Sequence, residues 1–196
     1  MRWMNDVHGY GLVSQLLHWL VALLIVATIP LGLYMVELKQ SALSAGEMDR
    51  FARAAQLFDI HKAIGVSIFA LVVVRLAWRL FSAVPALPAG SSAVVRVGST
   101  ISHVALYALM FSMPITGYML SSAEGFAVNV WGLFEIPVLP VLDSAHEDLL
   151  RLVHRTGAFI FAAFIGLHIA AALYHGLLLR DGVLARIIPG LRVRTR

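Results

Sequence analysis

Eight histidines stand in a chain of 196 residues that is 60% hydrophobic and only 13% charged. Ionisable side chains are costly at membrane depth and are kept there mostly for function, so these histidines are the residues to explain. Three of them, His154, His168 and His175, share one apolar stretch near the C-terminus. At about 3.6 residues per turn their separations are about 3.9 and 1.9 turns, which lays all three along one stripe of a helix. A neutral imidazole projecting from a rigid helix into an apolar pocket is what an axial haem ligand requires, and a low-spin electron-transfer haem takes one from each side. His154 and His168 would stand about 21 Å apart along the axis, which suits two macrocycles at different depths.

The chain has no cysteine. That excludes disulfides, thiolate-bound zinc, cysteine-held iron–sulfur clusters and covalent c-type haem attachment, so a bound metal must be held by histidine. A mean hydropathy of +0.83 lies far outside the range of soluble domains. The expectation is an all-α integral membrane four-helix bundle, because a span needs about 20 apolar residues and a chain this short has room for about four. The spans are placed near 12–35, 60–81, 101–120 and 149–179, within one membrane domain over 1–196. Between them lie a polar, potentially helical segment 37–59, a Pro/Ser-containing loop 82–100, and an aromatic and proline-rich loop 121–146. The first apolar stretch lacks a cleavage site after a basic leader and reads as a retained span.

Counting Lys and Arg across these spans puts nine on the side of both termini and six on the other. The positive-inside rule then makes both termini cytoplasmic. The net charge of +4 is accounted for by a basic rim against anionic lipid headgroups, with no nucleic-acid partner required.

With this orientation, depth suggests the pairing. His61 opens the second span and His154 lies near the start of the fourth, so both sit on the periplasmic side. His18 lies about 9 Å in from the cytoplasmic start of the first span, which leaves it for an inner haem with either His168 or His175. Gly65, Gly157, Gly166 and Ala170–Ala172 lie where a flat porphyrin would need space, although small residues also serve close helix packing.

The ordered motifs Leu17-His18-Trp19, His61-Lys62-Ala63-Ile64-Gly65, Val74-Arg75-Leu76-Ala77-Trp78-Arg79, Gly166-Leu167-His168 and Ala172-Leu173-Tyr174-His175 resemble those of the bacterial cytochrome b561 family over nearly the whole chain. The resemblance implies a bacterial inner-membrane protein with two haem b groups, exchanging electrons with ubiquinone. It implies His18 and His168 as axial ligands of one haem iron and His61 and His154 of the other. The loop residues Ser121–Gly125 and Trp131–Pro137 are similar to one branch of the family and differ from the branch in which superoxide oxidation is best described. Related di-haem subunits also anchor hydrogenases and formate dehydrogenases.

The remaining polar residues supply candidates for binding. His175, beside Tyr174 at the cytoplasmic end, can offer a quinone a hydrogen bond or proton, and His103 is a second candidate. Arg75, Arg79, Lys62 and Arg155 are candidates for haem propionates, since cations there can pair with carboxylates. Lys62, Arg151 and Arg155 can also attract a small anion to the periplasmic side. His8 and His146 are expected to be surface residues. The expected activity is electron transfer between a periplasmic donor, superoxide being favoured, and the ubiquinone pool. The alternative is an electron-carrier or anchor subunit docking a periplasmic redox protein through the 121–146 loop.

Overall fold

The computed structural model describes residues 2–7, 9–86 and 90–190. His8 and the tail arginines Arg192, Arg194 and Arg196 lie outside them. The described residues contain four helices long and apolar enough to cross a membrane. They are α1 (Leu12–Ala45), α2 (Met48–Phe81), α3 (Ala93–Ala123) and α4 (Glu147–Leu173), the last continuing as a π-helical turn, Tyr174–Leu179. The protein is all-α in its membrane part, as a helix satisfies every backbone polar group internally where no water is available. Leu23, Val74, Ile101 and Leu167 are among the exposed apolar residues, one from each helix, and this is the surface that lipid covers.

The helices extend beyond the expected spans. The polar 37–59 segment is helical almost throughout, α1 and α2 meeting at a tight turn where Gly46 adopts φ +69°. Glu47 N–H donates to Ala42 C=O at 2.9 Å across this turn, closing the end of α1 in the left-handed geometry that glycine supports without strain. Likewise α3 starts at Ala93, inside the expected 82–100 loop. Pro30 and Pro114 lie within α1 and α3. Each removes one backbone donor and marks a place where a helix can bend.

The 121–146 connection is more structured than its composition suggests. It forms a short antiparallel hairpin, β1 (Val128–Val130) with β2 (Phe134–Ile136), in the register Val128 opposite Ile136 and Val130 opposite Phe134. Val128 and Val130 are buried, and Tyr118 Oη donates to Pro137 C=O at 2.6 Å. Asp143 then caps the turn before α4 by accepting from Ala145 N–H, with His146 completing a capping box. His146 therefore has a local structural role. Glu147 and Asp148 in the first turn complement the positive end of the α4 dipole.

The chain divides into two compact units, each gathering segments of all four helices. The first comprises Met1–Ala22, Leu71–Leu109 and Ile160–Arg196, and the second Leu23–Ala70 and Met110–Phe159. Val21 and Val72 are fully buried in the first. Ala54, Ala63, Ile68 and Val128 are buried in the second, where Phe69 meets Phe111 edge to face at 5.7 Å. Each unit contains its own group of histidines.

Candidate haem sites

In the second unit, α2 carries His61 and α4 carries His154, and their ring centroids lie 6.4 Å apart. Both rings rest on glycines of other helices. A Cβ at Gly32 of α1 would stand 3.0 Å from His61 Cε1, and one at Gly117 of α3 would stand 3.0 Å from His154 Cε1. A side chain at either position would force the imidazole to shift by a few tenths of an ångström. Thr116 Oγ1 lies 3.0 Å from His154 Nδ1 and donates its own proton to Met113 C=O at 3.1 Å. The hydroxyl oxygen therefore accepts from Nδ1–H, which leaves Nε2 as the ring nitrogen with a free lone pair. The His61 ring is buried with the Thr28 backbone beside it, the counterpart of Met113 beside His154.

In the first unit, His18 on α1 faces His168 on α4 with centroids 6.3 Å apart. His103 on α3 stands 5.6 Å from His168 and donates Nδ1–H to Ser99 C=O at 2.7 Å. Arg75 on α2 lies over the Tyr107 ring at 5.6 Å and places Nη2 2.9 Å from His18 Nδ1. A guanidinium only donates, so Nδ1 of His18 accepts here. Arg79, one turn on, is partly buried. Trp78 Nε1 donates to Ser14 Oγ at 2.9 Å, and Ser14 donates to Asn5 Oδ1 at 2.7 Å, fixing the turn of α1 just before His18.

His61 and His154 as they stand, and His18 and His168 once Arg75 leaves His18 Nδ1, would each offer two neutral imidazoles to one metal-bearing group. The recurring spacing of 6.3 and 6.4 Å between ring centroids leaves room for a metal between the two imidazoles of each pair. In a chain with no cysteine, two histidines per site would suit a b-type haem, with His61 and His154 or His18 and His168 holding it. Residues 9–190 match the family model described as prokaryotic cytochrome b561. The chain belongs to that family. It is 30% identical over 188 residues to cytochrome b561 homolog 2 of Escherichia coli K12, covering 96% of this chain and 95% of the relative. It is also 30% identical over 187 residues to a Yersinia pestis protein named "Probable superoxide oxidase CybB", covering 92% and 96% of the two chains. Cytochrome b561 homolog 1 of Escherichia coli K12 is 24% identical over 131 residues.

As a cytochrome b561, the protein is a multi-pass electron-transfer protein of the bacterial inner membrane whose cofactor is haem b. The other expected site residues fall in distinct environments. His175 is not at either facing pair: its Nδ1 lies 2.5 Å from Asp181 Oδ2. Lys62 pairs with Asp59 at 2.9 Å and lies 5.8 Å from the Phe126 centroid. Arg151 pairs with Glu124 at 2.6 Å and also with Glu147, while Arg155 is exposed. Of the small residues singled out, Gly65 and Gly166 face open space and Gly157 packs against Met113. Sequence reasoning missed Gly32, Gly117, Thr116 and Asp181. For Asp181 a signal existed, since it follows His175 by six residues in an otherwise apolar stretch.

Proposed function

We propose that residues 1–196 act as one di-haem membrane domain carrying electrons between a periplasmic donor and the ubiquinone pool. His61 and His154 would hold the outer haem and His18 and His168 the inner one, with both termini in the cytoplasm. The observation that carries this reading is the recurrence of one spacing, 6.3 and 6.4 Å, in two separate histidine pairs. When bound, haem supplies reversible one-electron chemistry at its iron, which no side chain here provides.

The protein's own residues position and tune. Gly32 and Gly117 seat the outer imidazoles, and Thr116 holds the His154 tautomer that leaves Nε2 free. For His18 to offer Nε2 to iron, its Nδ1 must keep the proton, so Arg75 must release that nitrogen. The freed guanidinium then suits a carboxylate such as a propionate. His175 presents its unengaged nitrogen to quinone, and His103 stands near the inner pair as a second polar group.

Superoxide is the donor we favour, supported by the name of the Yersinia pestis relative. Lys62 and Arg151 are committed to carboxylates, which leaves exposed Arg155 as the cation to draw a small anion. A second reading, docking of a periplasmic redox protein, is favoured by the exposed Trp131, Leu133 and Phe134 of the hairpin. Purified protein exposed to a superoxide-generating system and ubiquinone-1 decides between them. Catalytic quinone reduction supports the first reading. Inactivity until a periplasmic fraction is added supports the second and ends the first.

A further inference from the structure

The geometry points to Asp181 as the positioning residue of the quinone end, a carboxylate that fixes how His175 presents its one free ring nitrogen. This rests on the reading of His175 as the hydrogen-bond partner of quinone. His175 Nδ1–H donates to Asp181 Oδ2 at 2.5 Å, and Asp181 Oδ1 accepts from Val183 N–H at 3.1 Å. Both carboxylate oxygens are thus engaged, one by the backbone and one by the imidazole. The side chains are only 17% and 20% exposed, so the pair is shielded.

Local backbone geometry is given over to this contact. After Leu173 the helix widens into a π turn, Tyr174–Leu179, and ends with Arg180 at φ +51°, a left-handed conformation that is unusual for a residue with a Cβ. The chain reverses there, and Asp181 returns toward the imidazole six residues before it. The returning segment is tied down: Gln15 Nε2 donates to Arg186 C=O at 3.0 Å and Trp19 Nε1 to Ile187 C=O at 2.9 Å. Arg186 in turn donates to Ala86 C=O at 2.6 Å. Asp181 is therefore carried on a strap anchored to the helix of His18.

An ionised carboxylate can only accept, so Asp181 keeps the proton on Nδ1 and reserves Nε2 for a ligand. Neutral His175 then accepts from a quinol hydroxyl. Protonated His175, its charge balanced by Asp181, donates to a quinone carbonyl. One oriented ring serves both oxidation states of the ligand.

The test uses the purified holoprotein, chemically reduced, then mixed with ubiquinone-1 or with ferricyanide, an oxidant that needs no quinone site. D181N keeps the shape of the side chain but loses its charge and can donate to Nδ1, releasing the tautomer. D181N is expected to raise the half-saturating ubiquinone-1 concentration about tenfold. Haem content and the ferricyanide rate should stay at wild-type values, and D181E should recover most of the quinone affinity. In ¹⁵N-histidine spectra, one ring should change tautomer in D181N. Unaltered quinone kinetics in D181N, with H175A impaired, would overturn the role of Asp181 and leave that of His175 standing. Unaltered kinetics in H175A would overturn both. Loss of haem or slowed ferricyanide oxidation in D181N, without recovery in D181E, would make Asp181 a folding residue and overturn the inference.

Discussion

The His61 ring lies over Gly32, so close that a Cβ on residue 32 would stand 3.0 Å from Cε1. The same distance separates a Cβ on Gly117 from His154 Cε1. Overpacking of this kind costs about 1–3 kcal/mol, so G32A and G117A should each weaken haem retention at the outer site by roughly ten- to a hundredfold. The inner haem should be unaffected. Haem titration after detergent extraction checks this, and full retention of both haems in both variants would show that the glycines do not seat the ligands.

Thr116 should set the electronic character of His154. Its oxygen accepts from Nδ1–H, an outer contact that makes the ring a stronger donor to a metal. T116V removes the acceptor, and the outer haem potential should rise by up to about 60 mV, a tenfold change in a one-electron equilibrium. Redox titration reads this directly, and an unchanged or lowered potential would contradict the assignment.

Arg75 should matter as a fork of donors and not as a point charge. R75K retains the charge but cannot pair a carboxylate through two parallel hydrogen bonds. Both R75A and R75K should therefore lower retention of the inner haem by about tenfold, with the outer haem intact. Full recovery in R75K would reduce Arg75 to a general positive charge.

Reporter fusions at Gly90 and Gly125 check the topology. These positions flank α3 and so should report opposite sides of the membrane, with Gly90 cytoplasmic. Equal reporter activity at both positions would contradict the four-span arrangement.

The four membrane helices and the family were legible in the sequence because both are written in local patterns: continuous apolar runs, and short motifs around His18, His61 and His168. Features made by contacts between helices were not legible. Gly32 and Gly117 act on histidines of other helices, and nothing in their own neighbourhoods announces it. The hairpin was missed because three-residue strands give too few positions for an alternating pattern to stand out. The stripe drawn through His154, His168 and His175 assumed uniform helical turns, but the helix widens after Leu173. His175 also has Asp181 as its partner, which the stripe could not reveal.

The most direct test of the di-haem reading is a haem count per chain, from reduced-minus-oxidised and pyridine haemochrome spectra of wild type, H154A and H168A. Two b-type haems in the wild type and one in each variant, with a different haem lost in each, is the expected result. A single haem in the wild type, or either variant keeping two with unaltered ligation, would contradict it.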